Sequence, residues 1–241
     1  MAALERRIAR WFYVITQSDS MITELETMGV AAEKRTNVHD GVDTAVFTPR
    51  PVDRELAARL GIDESKPRVL YMGLFAEYQG TDVMLEAFKQ VAGKNPRTQF
   101  LMIGFPDIEK YRAAGERLGI GENMKFLGRV DYEVLPRYLS LSPVAVAPKI
   151  AITEGDGKIY NYMAMGMATV AFDRSVSREI LGDTGLYAAL GDPRALAEKI
   201  LWALDHPEDS RILGQKSRER AIGNLSWDAV GRRIDEVYRR L

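Results

Sequence analysis

From Pro67 onward the chain alternates short apolar runs with stretches of helical period, and this alternation restricts the fold more than any other feature. The runs at 68–72, 99–103, 124–127, 144–147, 168–171 and 186–188 read as buried strands. Between them, residues 82–91 put Val83, Leu85, Ala87, Phe88 and Val91 on one mainly helical stripe. Leu196, Ile200, Leu201 and Leu204 repeat the pattern after Asp192-Pro193, which read as an N-cap and a first-turn proline. Strand and helix repeated about six times call for right-handed crossovers and a parallel sheet covered on both faces. The expected class is α/β, with a parallel sheet of about six strands.

The first fifty residues follow a different pattern. Residues 3–11 read as a helix, 12–16 as a strand, and Ser18 or Asp19 as the cap of a helix running to Met28. A single strand cannot make its own sheet, so this segment is expected to pair elsewhere. Thr48-Pro49-Arg50-Pro51 is the best linker, because two prolines in four residues disfavour both helix and central strand. The expected division is a unit at 1–50 and a larger domain at 51–241. The tail from Ser226-Trp227 through Val230, Ile234, Val237 and Tyr238 reads as a capped amphipathic helix with basic residues at its end.

Composition narrows the functional classes. The 33 basic and 34 acidic residues leave a net charge of -1, which offers no field for a nucleic acid. The absence of cysteine excludes disulfides and thiolate metal sites, and His39 and His206 are too few and too far apart for an imidazole site. It also fits a reducing cytoplasm, the expected location. No apolar run approaches the ~20 residues of a membrane span.

The segment from Glu154 to Gly166 concentrates the candidate chemistry. The 144–147 run reads as a strand and 159–165 as a helix, so Gly155 and Gly157 let backbone approach a ligand at the strand's carboxyl end. Helix N-termini there favour anions, and open parallel sheets bind ligands at that edge. Plainer readings stay open at each position. Glu154 can cap the helix that follows, and Lys158 can be a solvated helix residue. Gln79, Gly73 and Gly80 can serve turns, while Met163 and Met165 fit core filling.

These residues resemble the C-terminal half of a retaining glycosyltransferase of the GT-B architecture, in the large family that includes glycogen, sucrose-phosphate and mannosyl transferases. The likeness runs nearly end to end. Gly41-Val42-Asp43 with Phe47 and Pro49 is similar to the interdomain signature, and Gly73 with Gln79-Gly80 to the first phosphate loop. Phe126 to Val130, Pro148, Glu154 to Gly157, Tyr162 to Gly166 and Leu225-Ser226-Trp227 continue in the family's order.

The resemblance implies a Rossmann-like domain, preceded by a short remnant of an acceptor-binding half, that holds a nucleotide diphosphate sugar as substrate. It implies that Glu154 binds hydroxyls of the transferred sugar, that Gly155 and Gly157 bring backbone amides near it, and that the Arg129-Val130 loop holds the base. The family's second acid aligns with Asn161, one residue closer than usual, where an amide would meet the ribose. Its two diphosphate cations are replaced by Leu74 and Gln79, which makes Lys158 the nearest basic substitute.

The same resemblance implies chemistry without a metal and with no resident cofactor. It also implies that the chain alone binds a donor and does not transfer it, because the acceptor wall comes from an N-terminal domain or partner chain. A homodimer through uncovered ends is a further expectation. Two alternatives stay open: a non-catalytic nucleotide-sugar-binding or assembly module, and half of a sugar-nucleotide epimerase. The sugar, base, acceptor and linkage are not readable from the residues.

Overall fold

All six runs that the sequence marks as buried strands lie in one parallel sheet. The structure, a computed structural model, describes residues 2–152 and 155–241. In chain order a first unit comprises α1 (Ala2–Ala9), β1 (Val14–Thr16), α2 (Asp19–Thr27) and β2 (Arg35–Asn37). After α3 (Arg54–Arg59) the repeat begins with β3 (Arg68–Met72), α4 (Thr81–Lys94), β4 (Gln99–Ile103), α5 (Ile108–Arg117) and β5 (Met124–Gly128). It continues with α6 (Leu135–Leu139), β6 (Val144–Ala147), α7 (Gly157–Ala164), β7 (Ala168–Phe172), α8 (Ser175–Leu181) and β8 (Leu186–Ala188). The helices α9 (Pro193–Asp205), α10 (Pro207–Arg220) and α11 (Trp227–Tyr238) close the chain. The spatial order is β5-β4-β3-β6-β7-β8, every pair parallel.

Burial on both faces explains why the strands read as unbroken apolar runs. Successive side chains still point to opposite faces, and the two cores divide accordingly. In β4, Phe100 and Met102 enter the core under α4, α5 and α9, whereas Leu101 and Ile103 enter the core under α6, α7 and α8. Phe88 of α4 stacks on Phe100 of β4 at 4.0 Å between ring centroids, fixing that helix to this face of the sheet. Met163 and Met165 are buried in the second of these cores.

The strand expected near residues 12–16 finds its partner close by in sequence. β1 pairs in parallel with β2, Val14 opposite Arg35 and Thr16 opposite Asn37, with α2 as the crossover. Arg35-Thr36-Asn37 contains no apolar residue, so hydrophobic periodicity had nothing to detect there. Ser18 caps α2, accepting from the Met21 N–H.

The C-terminal helix ties the first unit to the rest. Val42 pairs with Ser226, and Val42 N donates to the Leu225 carbonyl at 2.9 Å. Val230 and Val237 of α11 then pack on Val38, with Tyr13 and Ile234 against them. The Ser226 hydroxyl accepts from the Ala229 N–H and caps α11. Ser226→Ala is expected to lower stability by ~1 kcal/mol, the usual worth of an N-cap, read from the urea midpoint at constant slope. Phe47 is fully buried in the core that contains Leu56 and Leu70.

Candidate functional site

The strand order reverses direction between β3 and β6: the chain steps outward one way through β4 and β5, then the other way through β7 and β8. A crevice opens at the carboxyl ends of the two strands flanking such a switch point. The loop leaving β3 contains Gly73 and ends at Gly80, and the loop leaving β6 runs from Pro148 into α7.

These loops meet backbone to backbone. Gly80 lies at φ +73° at the start of α4, and a Cβ there would come within 1.8 Å of the Pro148 carbonyl oxygen. Only glycine allows both that conformation and that approach. Gly73, at φ +152°, faces Lys158: an added Cβ would lie 2.9 Å from Lys158 Cε and from the Tyr71 hydroxyl.

Lys158, in the first turn of α7, turns back into the protein. Its ammonium donates to Asp156 Oδ1 and to Gln79 Oε1, each at 2.7 Å, and sits 5.7 Å from the Tyr71 ring centroid. Lys158, Asp156 and Gln79 are all buried. The other carboxylate oxygen of Asp156 lies 4.0 Å from Arg174 Nη2, also buried, at the start of α8. Burial pushes the Tyr71 phenol well above its ordinary value, so it stays protonated and donates to the Leu74 carbonyl at 2.7 Å. Tyr162 of α7 accepts from Met72 N at 2.7 Å, which locks the helix to the end of β3.

The start of α7 suits an anion. Asp156 occupies the N-cap position without capping through its side chain, and the space around the Gly157 Cβ position is open. First-turn N–H groups and an adjacent ammonium together attract a negatively charged group. Gly155 precedes this turn, and a Cβ on it would lie 3.6 Å from Gln17 Oε1, so the first unit reaches the same loop. His39 Nδ1 lies 3.1 Å from the Gln17 carbonyl. Asn161, one turn beyond Lys158, is half-buried.

Arg129 and Val130 follow β5 and line a cleft of about 240 Å³ with Gly73, Leu74, Gly104 and Phe105. The Arg129 guanidinium sits 5.1 Å from the Phe105 ring centroid, covering one wall. A larger hollow, about 430 Å³, lies between α4 and α5 and is lined by helix residues rather than by these loops.

The structure therefore gathers Gly73, Gln79, Gly80, Gly155, Gly157 and Lys158 at one edge, with Arg129 and Val130 in the adjoining cleft. Glu154 lies outside the described residues. Residue-level reading missed three groups: Asp156 as the partner of Lys158, Arg174, and the buried Lys149, whose ammonium donates to the Gly155 carbonyl at 2.8 Å. A lysine directly after Pro148 at the end of a buried strand was the available signal for the last. Among the described residues no cluster of His, Asp and Glu is placed to hold a metal ion, and no helix is long and apolar enough to cross a membrane.

The family of glycosyl transferases group 1 matches residues 52–220. The chain is 26% identical over 208 residues to the GDP-mannose-dependent monoacylated alpha-(1-6)-phosphatidylinositol monomannoside mannosyltransferase of Corynebacterium glutamicum, covering 82% of this chain and 54% of that protein. It is 30% identical over 226 residues to the alpha-maltose-1-phosphate synthase of Mycolicibacterium smegmatis, covering 85% and 56%. Among solved structures, Anabaena HepE in complex with UDP superposes with a TM-score of 0.89 at 18% identity, over 100% of this chain and 67% of that one. The chain thus spans about half the length of these curated relatives.

Proposed function

Since this chain belongs to the glycosyl transferases group 1 family and has the Rossmann-like fold of the C-terminal half of a GT-B enzyme, we propose that it is the donor-binding half of a retaining glycosyltransferase. Its substrate on this reading is a nucleotide diphosphate sugar, and the sugar passes to an acceptor hydroxyl. The observation that carries the reading is the uncapped start of α7, with Lys158 beside it, opening at the switch-point crevice next to the Arg129-Val130 cleft. Two similar proteins, one dependent on GDP-mannose and one solved in complex with UDP, agree in ligand chemistry.

The residues divide the donor between them. The cleft at Arg129 and Val130 takes the base, and Asn161 the ribose hydroxyls. The α7 N-terminus, Lys158 and the loop of Gly73, Gln79 and Gly80 take the diphosphate, while Glu154 and the Gly155 and Gly157 backbone take the sugar. As the bond from the anomeric carbon to the phosphate oxygen breaks, charge grows on that phosphate. Fixed N–H dipoles and an ammonium stabilise it there without reorganising. Transfer also needs an acceptor hydroxyl held beside the anomeric carbon, which on this reading an acceptor-binding half supplies. Exposed Trp11 and Phe12 suit contact with that half or with a second copy.

A thermal-shift panel of UDP, GDP, ADP and their sugars tests the reading. A bound ligand at about 100 times its Kd should add ~2.7 kcal/mol of stability. Lys158→Ala should weaken a diphosphate relative to its nucleoside by ~1.5–3 kcal/mol, the worth of a charged hydrogen bond. If no nucleotide stabilises the chain, the reading is wrong.

A further inference from the structure

Lys158 directs its ammonium entirely toward groups of the protein. An ammonium has three N–H donors. Two of them meet Asp156 Oδ1 and Gln79 Oε1, and the Tyr71 ring lies 5.7 Å away, within reach of a cation–π contact. The residue is only 7% exposed. A phosphate arriving at the start of α7 therefore finds its cation already engaged, and contact requires Lys158 to give up a partner. Gln79 is neutral and Tyr71 offers a ring face, so Asp156 is the partner whose charge competes with a phosphate for the same ammonium. The second oxygen of Asp156 accepts no hydrogen bond among the described residues and lies 4.0 Å from Arg174 Nη2, so a released carboxylate keeps a cation beside it.

We propose that Asp156 is a counter-ion that the donor's diphosphate displaces from Lys158, so that this carboxylate sets how tightly diphosphates are held and how readily the product diphosphate leaves; this rests on the nucleotide-sugar reading above. The exchange belongs to binding, so the ammonium is in place before the bond to the anomeric carbon breaks. When the product departs, the carboxylate takes the ammonium back. The test is calorimetry of the chain with UDP, GDP and the corresponding nucleosides. Asp156→Asn keeps an oxygen for Lys158 and removes the competing charge. It should tighten the better-bound diphosphate about 10- to 100-fold, the range of a charged hydrogen bond, and leave the nucleoside unchanged. In a Lys158→Met background the same substitution should lose most of that gain, because no pair remains to be broken.

Unchanged or weaker diphosphate binding in Asp156→Asn would make the carboxylate a structural tie and overturn the proposal. A gain that persists in full beside Lys158→Met would be plain charge repulsion and would overturn it too. If Asp156→Asn does not fold, NMR of the wild-type chain decides: UDP or GDP should shift both the Lys158 ammonium and the Asp156 carboxyl carbon, and an unchanged Asp156 signal overturns it. A wild-type chain that binds no nucleotide overturns the donor reading as well. Wild-type binding without tightening in Asp156→Asn overturns only this inference.

Discussion

Asp156→Ala is expected to lower the unfolding free energy by ~3–5 kcal/mol, because it strands the buried ammonium of Lys158 without its carboxylate. Asp156 is 3% exposed and its bond to Lys158 is 2.7 Å, so water cannot readily take over the lost role. Gln79 Oε1 remains as a partner, but a neutral amide oxygen balances no charge. The second substitution should reverse much of the loss: a chain with Asp156→Ala and Lys158→Met no longer strands the Lys158 ammonium, although Arg174 still loses the carboxylate 4.0 Å from it. Urea unfolding of the two single variants and the double gives the coupling directly. A coupling near zero would mean that the pair is solvated and contributes no more than a surface bridge.

Gly80→Ala should be nearly as damaging, costing about 2–5 kcal/mol from left-handed backbone strain together with overpacking. At φ +73° the new methyl would point at the Pro148 carbonyl oxygen from 1.8 Å, so one of the two backbone segments must shift. Gly119→Ala is the control. That glycine has φ +74° and nothing within 4 Å of the Cβ position, so its substitution should show the strain alone, ~1–2 kcal/mol. Unfolding curves for both variants separate the two contributions. Nucleotide affinity measured on Gly80→Ala should fall as well, since the loop that moves leads to Gln79 and Lys158. Equal stability losses at the two positions would show that the approach of Pro148 is unimportant.

The six main strands were legible because both sheet faces are buried, which turns each strand into an apolar run bounded by caps and turns. Asp192 caps α9 and Ser226 caps α11 as the local sequence suggests, since capping involves only neighbours in the chain. The segment β2 escaped notice because its three polar residues earn their place only by pairing with β1. The buried cations escaped for a related reason. Lysine and arginine are usually solvated, and nothing within a few residues of Lys149 or Arg174 says that the chain will fold over them.

What the sequence by itself determined is the six main strands, the helix caps and the glycine-bearing loops at the sheet's carboxyl edge. Periodicity, caps and glycine positions act over a few residues, and an alternating strand-helix pattern leaves few ways to close a sheet. Only the tertiary structure decided which side chains meet at that edge. Lys158 reaches Gln79 across 79 positions of chain, and the Gly80 Cβ position faces Pro148 from another loop. Those contacts depend on crossovers bringing β3 and β6 side by side, and neither local propensity nor residue spacing encodes the distances that result.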